Sequence, residues 1–336
     1  MEEILKMLTK NSYLHSYVIT EHGMKEINEI EIGDKIYEYG TGKLIEVQNI
    51  IETLLPIKKL TFSDGRVDYR GIDEKDPKDF KISALEFIGI KKPLYPDPNL
   101  AGAIFTYADH SDKYVNLPMD MDNVNNLFSH KYHVKYADKI DKNKVYFSNT
   151  CSTDEVLTWE QMFPDYDFYA KYKNEWDRII PEDYVYSSIK DRIQFIIGVF
   201  DMGYNFRRFP NNVAIAHSNE DMLKVIQKIL WSLGILSKIS YAPGWTDEEN
   251  QFHYHPYKRF YQLKLLGNNK TYAGLFYERE YIEKFIKRED ILDNINKKYI
   301  LKLVKIKEYP QMFVKNLVLD KERWFYTEDY LPRLSK

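Results

Sequence analysis

Residues 195–204 read FIIGVFDMGY. An apolar run carries Gly198 in its middle, then breaks on Asp201 and Gly203 before strand-like sequence begins. The stretch closes a predicted helix over 189–203, IKDRIQFIIGVFDMG, and runs into a tight turn. YNFRRFPNNVAIAHS then reads as two strands around Pro210-Asn211-Asn212. SNEDMLKVIQKILWSLGI (218–235) is a further helix. Ser218 or Asn219 caps it, Glu220 and Asp221 suit its positive end, and Gly234 stops it. Met222, Val225, Ile226, Ile229, Leu230 and Leu233 keep a helical period. SKISYAP and FYQLKLLG read as strands flanking a loop, and YEREYIEKFIKRED as another helix.

This order of helix, two strands, helix, two strands, helix recurs more loosely upstream. NLAGAIFTYADH (99–110) reads as a helix with small residues Ala101, Gly102 and Ala103 near its start. KYVNLP and KVYFSNT (144–150) read as strands, MDNVNNLF as a short helix, and residues 153–179 as mainly helical. Two copies imply a pseudo-two-fold domain of mixed sheet and helix. KKPLYPDPNL (91–100), with three prolines, reads as the linker that opens it.

The two ends have a different texture. Residues 17–52 are rich in β-branched and aromatic residues, broken at His22-Gly23, Gly33-Asp34 and Gly40-Thr41-Gly42. They predict short strands joined by turns, followed by a strand KKLTFSDG and a charged loop over 71–80. KYILKLVKIKEYPQMFVKNLVLDKERWFYTEDYLP returns to β texture. The predicted class is α+β: an all-β domain from residues 1–90 plus 300–336, with an α/β domain inserted over 91–299.

Length and composition bound the function. The chain has 336 residues, which favours two domains, and 28 tyrosines that can bury a ring while placing a hydroxyl on water or phosphate. The single Cys151 excludes a disulfide framework and a cysteine zinc site and suits a reducing, cytoplasmic compartment. MEEILKMLTK lacks the apolar core of a signal peptide, and no run of 18 apolar residues exists, so no membrane span is expected. The net charge is −3. Residues 1–90 hold 12 Lys/Arg against 17 Asp/Glu, or −5, leaving 36 against 34, or +2, for the rest. The two parts are expected to do different jobs.

The layout resembles an intein that carries a LAGLIDADG (dodecapeptide) homing endonuclease, across nearly the whole chain. LAGAIFTYAD (100–109) is similar to a first dodecapeptide helix. FIIGVFDMGY with its following strand and SNEDMLKVIQKILWSLGI is similar to the second repeat. The flanks YVITEHGMKEINEIEIGDKIYEY and MFVKNLVLDKERWFYTEDYLPRLSK resemble the split halves of the Hint (hedgehog/intein) splicing fold. The resemblance implies a Hint-like β domain with an inserted αββαββα nuclease domain, acting as a monomer with internal pseudo-symmetry on a long double-stranded DNA site. A protein partner on the β domain is a further expectation.

Splicing needs three elements, and each is missing. An acyl shift requires a thiol or hydroxyl at the first position, which falls on Asn11, with Ser12 out of register. The Thr-x-x-His that polarises the scissile amide has no counterpart after SDGRVDYRGIDEKD. The terminal His-Asn falls on Leu334-Ser335. No splicing is therefore expected.

In the family, two helices pack through small residues and their ends bring one acid each to a cleft, where Mg²⁺ activates water. Ala101-Gly102 and Gly198 fit such close packing. The usual acid positions fall on Tyr107 and Gly203; Asp109 stands two residues after the first and Asp201 two before the second. Asp109 and Asp201 are the catalytic and metal-ligand candidates, with Mg²⁺ the cofactor of any cleavage. A local cap or ion pair at Asp201 and a polar turn at Asp109 are the alternatives. By the same resemblance the DNA-reading candidates are Lys113 and Tyr114 on the first repeat. On the second they are Asn205, Arg207, Arg208, Asn211 and Asn212, then Lys258, Arg259, Tyr261 and Lys264. Arg and Asn suit guanine and adenine edges, and Lys suits phosphates. His253 and His255 in HYHPYKR form a weaker metal pair. Lys297, Lys298, Lys302, Lys305 and Lys307 form a basic stretch read as a solvated face.

Overall fold

The structure is a computed structural model. It describes residues 14–77, 79–81, 84–87, 98–107, 109–110, 115–117, 134–136, 145–147, 180, 184–203, 213–242, 244–246, 252–254, 260–266 and 300–336. The chain divides into two compact units. One holds Met1–Lys91, Trp231–Leu236 and Asn296–Lys336; the other holds Lys92–Leu230 and Ser237–Ile295.

The first unit opens with β1 (Tyr17–Thr20), β2 (Gly23–Glu26), β3 (Lys35–Tyr37) and β4 (Leu44–Glu46), an antiparallel sheet in the order β2-β1-β3-β4. Gly23 and Gly33 turn this chain at φ of +116° and +97°, a region costly for any side chain. Next come β5 (Asn49–Phe62), β6 (Val67–Gly71) and β7 (Asp79–Lys81).

In the second unit, helix α1 (Pro98–Tyr107) is followed by β8 (Asp109–His110), β9 (Val115–Leu117), β10 (Val134–Tyr136) and β11 (Val145–Phe147), in the order β10-β11-β9-β8. Helix α2 (Ile189–Gly203) matches its predicted span. Ser188 starts it: its Oγ accepts the Asp191 amide N–H at 3.1 Å and donates to the Asp191 carboxylate at 2.8 Å. β12 (Ala214–His217), α3 (Glu220–Ser232) and β13 (Ser237–Ala242) follow. The cap of α3 is Asn219, whose Oδ1 accepts the Met222 N–H at 2.9 Å, and Gly234 at φ +77° ends the turn after it. β14 (Gly244–Thr246) pairs with β15 (Phe252–Tyr254), and β16 (Phe260–Leu265) lies between β12 and β13.

The chain then returns to the first unit with β17 (Ile300–Val318), β18 (Trp324–Tyr326) and β19 (Pro332–Leu334). β17 pairs antiparallel with the whole of β5 over Leu303–Val318, and with β7 over Ile300–Lys302, giving the sheet β6-β5-β17-β7. Short strands were expected here; the observed ribbon is far longer. It tolerates two prolines because of a bulge. The register skips Pro310, between Tyr309 and Gln311, and Pro56 sits opposite Gln311. A residue without an N–H is accommodated where the ladder is already interrupted. One core cluster gathers Val18, Ile27, Ile30, Ile36, Val47, Leu317, Leu319 and Phe325 from both chain ends.

Candidate nucleic-acid interface

The sheet β12-β16-β13 sorts its side chains by alternation. Ile215, Leu263 and Ile239 form one rank across the three strands, facing the same way as His217, Tyr261 and Tyr241. Ile215 and Leu263 are fully buried. The other face carries Ala214, Lys264 and Lys238 in one rank, then Ala216, Gln262 and Ser240 in the next. Lys238 and Ser240 are exposed, and Lys264 and Gln262 half-buried. Side chains opposite each other on neighbouring strands stand about 4.5–5.5 Å apart at Cβ, so the two ammonium groups repel one another. Among the described residues neither makes an ion pair. An anion laid across this face would relieve that repulsion. Gln262 beside it offers both a donor and an acceptor.

Two helices of the unit pack against each other. An ideal Cβ placed on Gly102 of α1 would lie 2.1 Å from the backbone oxygen of Phe195 and 3.0 Å from the amide nitrogen of Val199, both on α2. The two backbones therefore touch, as the small residues of LAGAIFTYAD led us to expect at Gly102. Thr106 donates its hydroxyl to the Gly102 carbonyl at 2.6 Å, which satisfies it inside α1. Phe105, Tyr184 and Phe195 stack around this contact, with ring centroids 5.6 and 4.6 Å apart. Gly198 is buried in α2.

The two expected acids fall on different elements. α1 stops at Tyr107, short of the predicted 110, and Asp109 instead begins β8, opposite Asn116. Aspartate competes for backbone hydrogen bonds in a helix interior, and here the ladder takes it. The helix itself does not carry Asp109. Asp201 lies in the last turn of α2. Both acids are placed by their backbones. Among the described residues no cluster of three or more His, Cys, Asp or Glu could hold a metal, and the side chains of Asp109 and Asp201 lie outside those described. His253 stands in β15 opposite Trp245.

Of the base- and phosphate-contacting candidates, Lys113, Tyr114, Asn205, Arg207, Arg208, Asn211, Asn212, Lys258 and Arg259 lie outside the described residues, as do Asn11, Ser12, Cys151, His255, Lys297 and Lys298. Lys264 stands on the face that also carries Lys238 and Gln262. Tyr261 does not: three positions away in a strand, it has the opposite parity, and its ring meets Tyr241 at 6.0 Å beside the buried rank. Lys238, Ser240 and Gln262, which share this face, were not among the sequence candidates. The alternation in SKISYA and FYQLKL is their signal, but only the register shows that these two strands pair and which residues stand opposite each other.

The first unit holds a different arrangement where the splicing elements would fall. Arg333 Nε and Nη2 donate to the Glu74 carboxylate at 2.8 and 2.7 Å, and Nη1 donates to Ser16 Oγ at 3.1 Å. Burial works against the Arg333 charge, but Glu74 more than offsets it and holds its pKa above the ordinary value. Arg70 pairs with Asp68 and donates to the Pro332 carbonyl. Arg66 pairs with Asp64 at 2.7 Å and donates to the Asp329 carbonyl; its burial pulls it below its ordinary value. The Lys58 ammonium meets Asp76 at 2.7 Å. At the expected terminal position, Ser335 Oγ accepts the Arg323 N–H at 2.9 Å and donates to the Lys321 carbonyl at 3.3 Å. These contacts tie Arg333 and Ser335 into the first unit.

No family model matches the chain, and no curated protein matches it. Solved structures of the homing endonuclease I-DmoI do. The complex with DNA and Ca is 12% identical, with a TM-score of 0.34, covering 56% of this chain and 95% of that one. The complex with DNA and Mn is 12% identical, with a TM-score of 0.28 over 50% and 87%. Mesophilic variants give 12% and 0.30 over 50% and 86%. The likeness is coarse, and it carries no residue role to this chain.

Proposed function

We propose that this chain is an intein-derived, homing-endonuclease-like protein that binds a long duplex DNA site and does not splice. The observation that carries the reading is the polar face of β12-β16-β13. There Lys238 and Lys264 stand opposite each other without a described acidic partner, beside Gln262 and Ser240. In this reading the lysines take phosphates, and the polar side chains of the same face meet base edges. The close α1–α2 contact at Gly102 supports a paired-helix scaffold beneath it. The Hint-like β domain made by both chain ends belongs to the same proposal, supported by the β5–β17 ribbon. The missing splicing groups support its inactivity.

A salt-dependent gel shift with duplex DNA tests the binding. Phosphate contacts weaken steeply as salt rises. We expect retention at low salt that Lys238→Gln with Lys264→Gln weakens. An unshifted duplex at low salt refutes the reading and leaves a scaffold or interaction module in its place. Cleavage is a separate question on the same protein. Any Mg²⁺-dependent nicking should vanish in Asp109→Ala with Asp201→Ala, and unchanged nicking removes both acids from the chemistry.

A further inference from the structure

The first unit carries a second basic face. β6, β5 and β17 present Tyr69, Lys59 and Lys307 in one rank, and Val67, Thr61 and Lys305 in the next. Both ranks face the same way, because ladder partners share a face and residues two apart in a strand do too. Lys305 and Lys307 are exposed. They stand about 6.6–6.8 Å apart along β17, comparable to successive phosphates on one nucleic-acid strand. Neither makes an ion pair with a described residue. β7 pairs only with Ile300–Lys302, so it does not border these two lysines.

Aromatic rings brace the rank. Lys307 Nζ lies 4.7 Å from the Tyr309 ring centroid and Lys59 Nζ 5.6 Å from that of Tyr69, and the two rings meet at 6.3 Å. A cation held over a ring is already ordered, so less side-chain freedom is lost when it meets an anion. The Lys59 end is balanced. A cavity of about 210 Å³ beside it is lined by Glu328 and Asp329 as well as Lys59 and Tyr69. The same cavity touches Val67, so its acids border both ranks on the β6 side, while Lys305 and Lys307 stand exposed on β17.

We propose that this Lys305–Lys307 face is a phosphate-contacting surface of its own, which takes the sugar–phosphate backbone of duplex DNA. It rests on the DNA-binding reading above and adds a contact from the unit that reading leaves idle. A β face with two exposed cations at phosphate spacing suits a repeating anion and reads no sequence.

The test uses the full chain and a random-sequence 40-base-pair duplex, with anisotropy titrations over a KCl series. Each phosphate contact adds about 0.9 to the slope of log affinity against log salt. Lys305→Gln with Lys307→Gln should lower the slope by about 1.8, a loss of about 60-fold at 0.1 M KCl if the lines meet at 1 M. Lys305→Arg with Lys307→Arg should keep the slope, and thermal melting should be unchanged in both. An unchanged slope in the Gln pair overturns this inference, even where Lys238→Gln with Lys264→Gln lowers it and upholds the first reading. A duplex that does not bind the wild type overturns both. A loss seen only on double-stranded RNA of the same sequence overturns the assignment to DNA.

Discussion

Gly102→Ala puts the helix pair to a direct test. The added methyl would sit 2.1 Å from the Phe195 carbonyl oxygen and 3.0 Å from the Val199 nitrogen, and both obstacles are backbone. An ordinary close C···O approach is about 3.3 Å, so the helices must part by about 1.2 Å at this point. A gap of 0.5–1 Å already forfeits roughly a quarter to a half of a contact's dispersion energy. The buried partners Ala101, Phe105, Phe195 and Val199 would all feel it. Overpacking typically costs about 1–3 kcal/mol, and an overlap with rigid backbone belongs at or above the upper end. Alanine's better helix propensity returns about 1 kcal/mol. The net expectation is a loss of about 2–3 kcal/mol. With a urea slope of roughly 2–3 kcal/mol/M, the midpoint of the unit's transition should fall by about 1 M. Hydrogen exchange at the amides of 195–199 should quicken with it, which ties the loss to this unit of a two-unit chain. A midpoint that stays or rises would falsify the close contact, since Gly→Ala in a roomy helix stabilises.

Two further perturbations concern the first unit. Arg333→Leu leaves the buried Glu74 carboxylate without its guanidinium and should cost about 3–5 kcal/mol in urea unfolding, while Glu74→Leu with Arg333→Leu should recover much of it; equal losses in the single and double variants would contradict the pairing. Acid should also weaken this unit. Burial raises Asp34 and Glu38, but hydrogen bonds from Lys25 and the Glu31 amide to the first, and from Thr41 and Arg323 to the second, lower both overall. A carboxylate depressed in the folded state stabilises above its unfolded pKa and loses that contribution as pH falls through its folded value. The midpoint at pH 3 should therefore lie below that at pH 7, and Asp34→Asn with Glu38→Gln should narrow the gap.

The helices were legible because each carries its own punctuation. Asn219 and Gly234 bracket α3, and local rules read these without the rest of the chain; the Ser188–Asp191 start of α2 emerges in the structure. Gly102 was legible for a related reason: a glycine placed within a helix is costly unless something must come close. The long ribbon was harder to see. β5 carries Pro56 and β17 carries Pro310, and each alone argues for a broken strand. Only when 56 is set opposite 311 does the bulge at 310 explain both. That pairing joins segments more than 250 residues apart, beyond any local rule.

The interface was half legible, and the reason is parity. A residue type names what a side chain could contact; whether it faces solvent depends on its place in the ladder. Tyr261 and Lys264 look equivalent as polar or amphipathic members of one strand, yet three steps along a strand reverse the face. Register therefore moves Tyr261 to the Tyr241 side and brings in Lys238, six positions after the end of α3, as the ladder partner of Lys264. The same logic lifts Lys305 and Lys307 out of a stretch that reads as a solvated charge run. Between them Ile306 faces the other way, and across from them lie Thr61 and Lys59, so two lysines among many become one face. Charge counts on the chain average over such faces. A net charge of −3 is compatible with two separate cationic surfaces, because each needs only two lysines kept clear of the chain's more numerous acids.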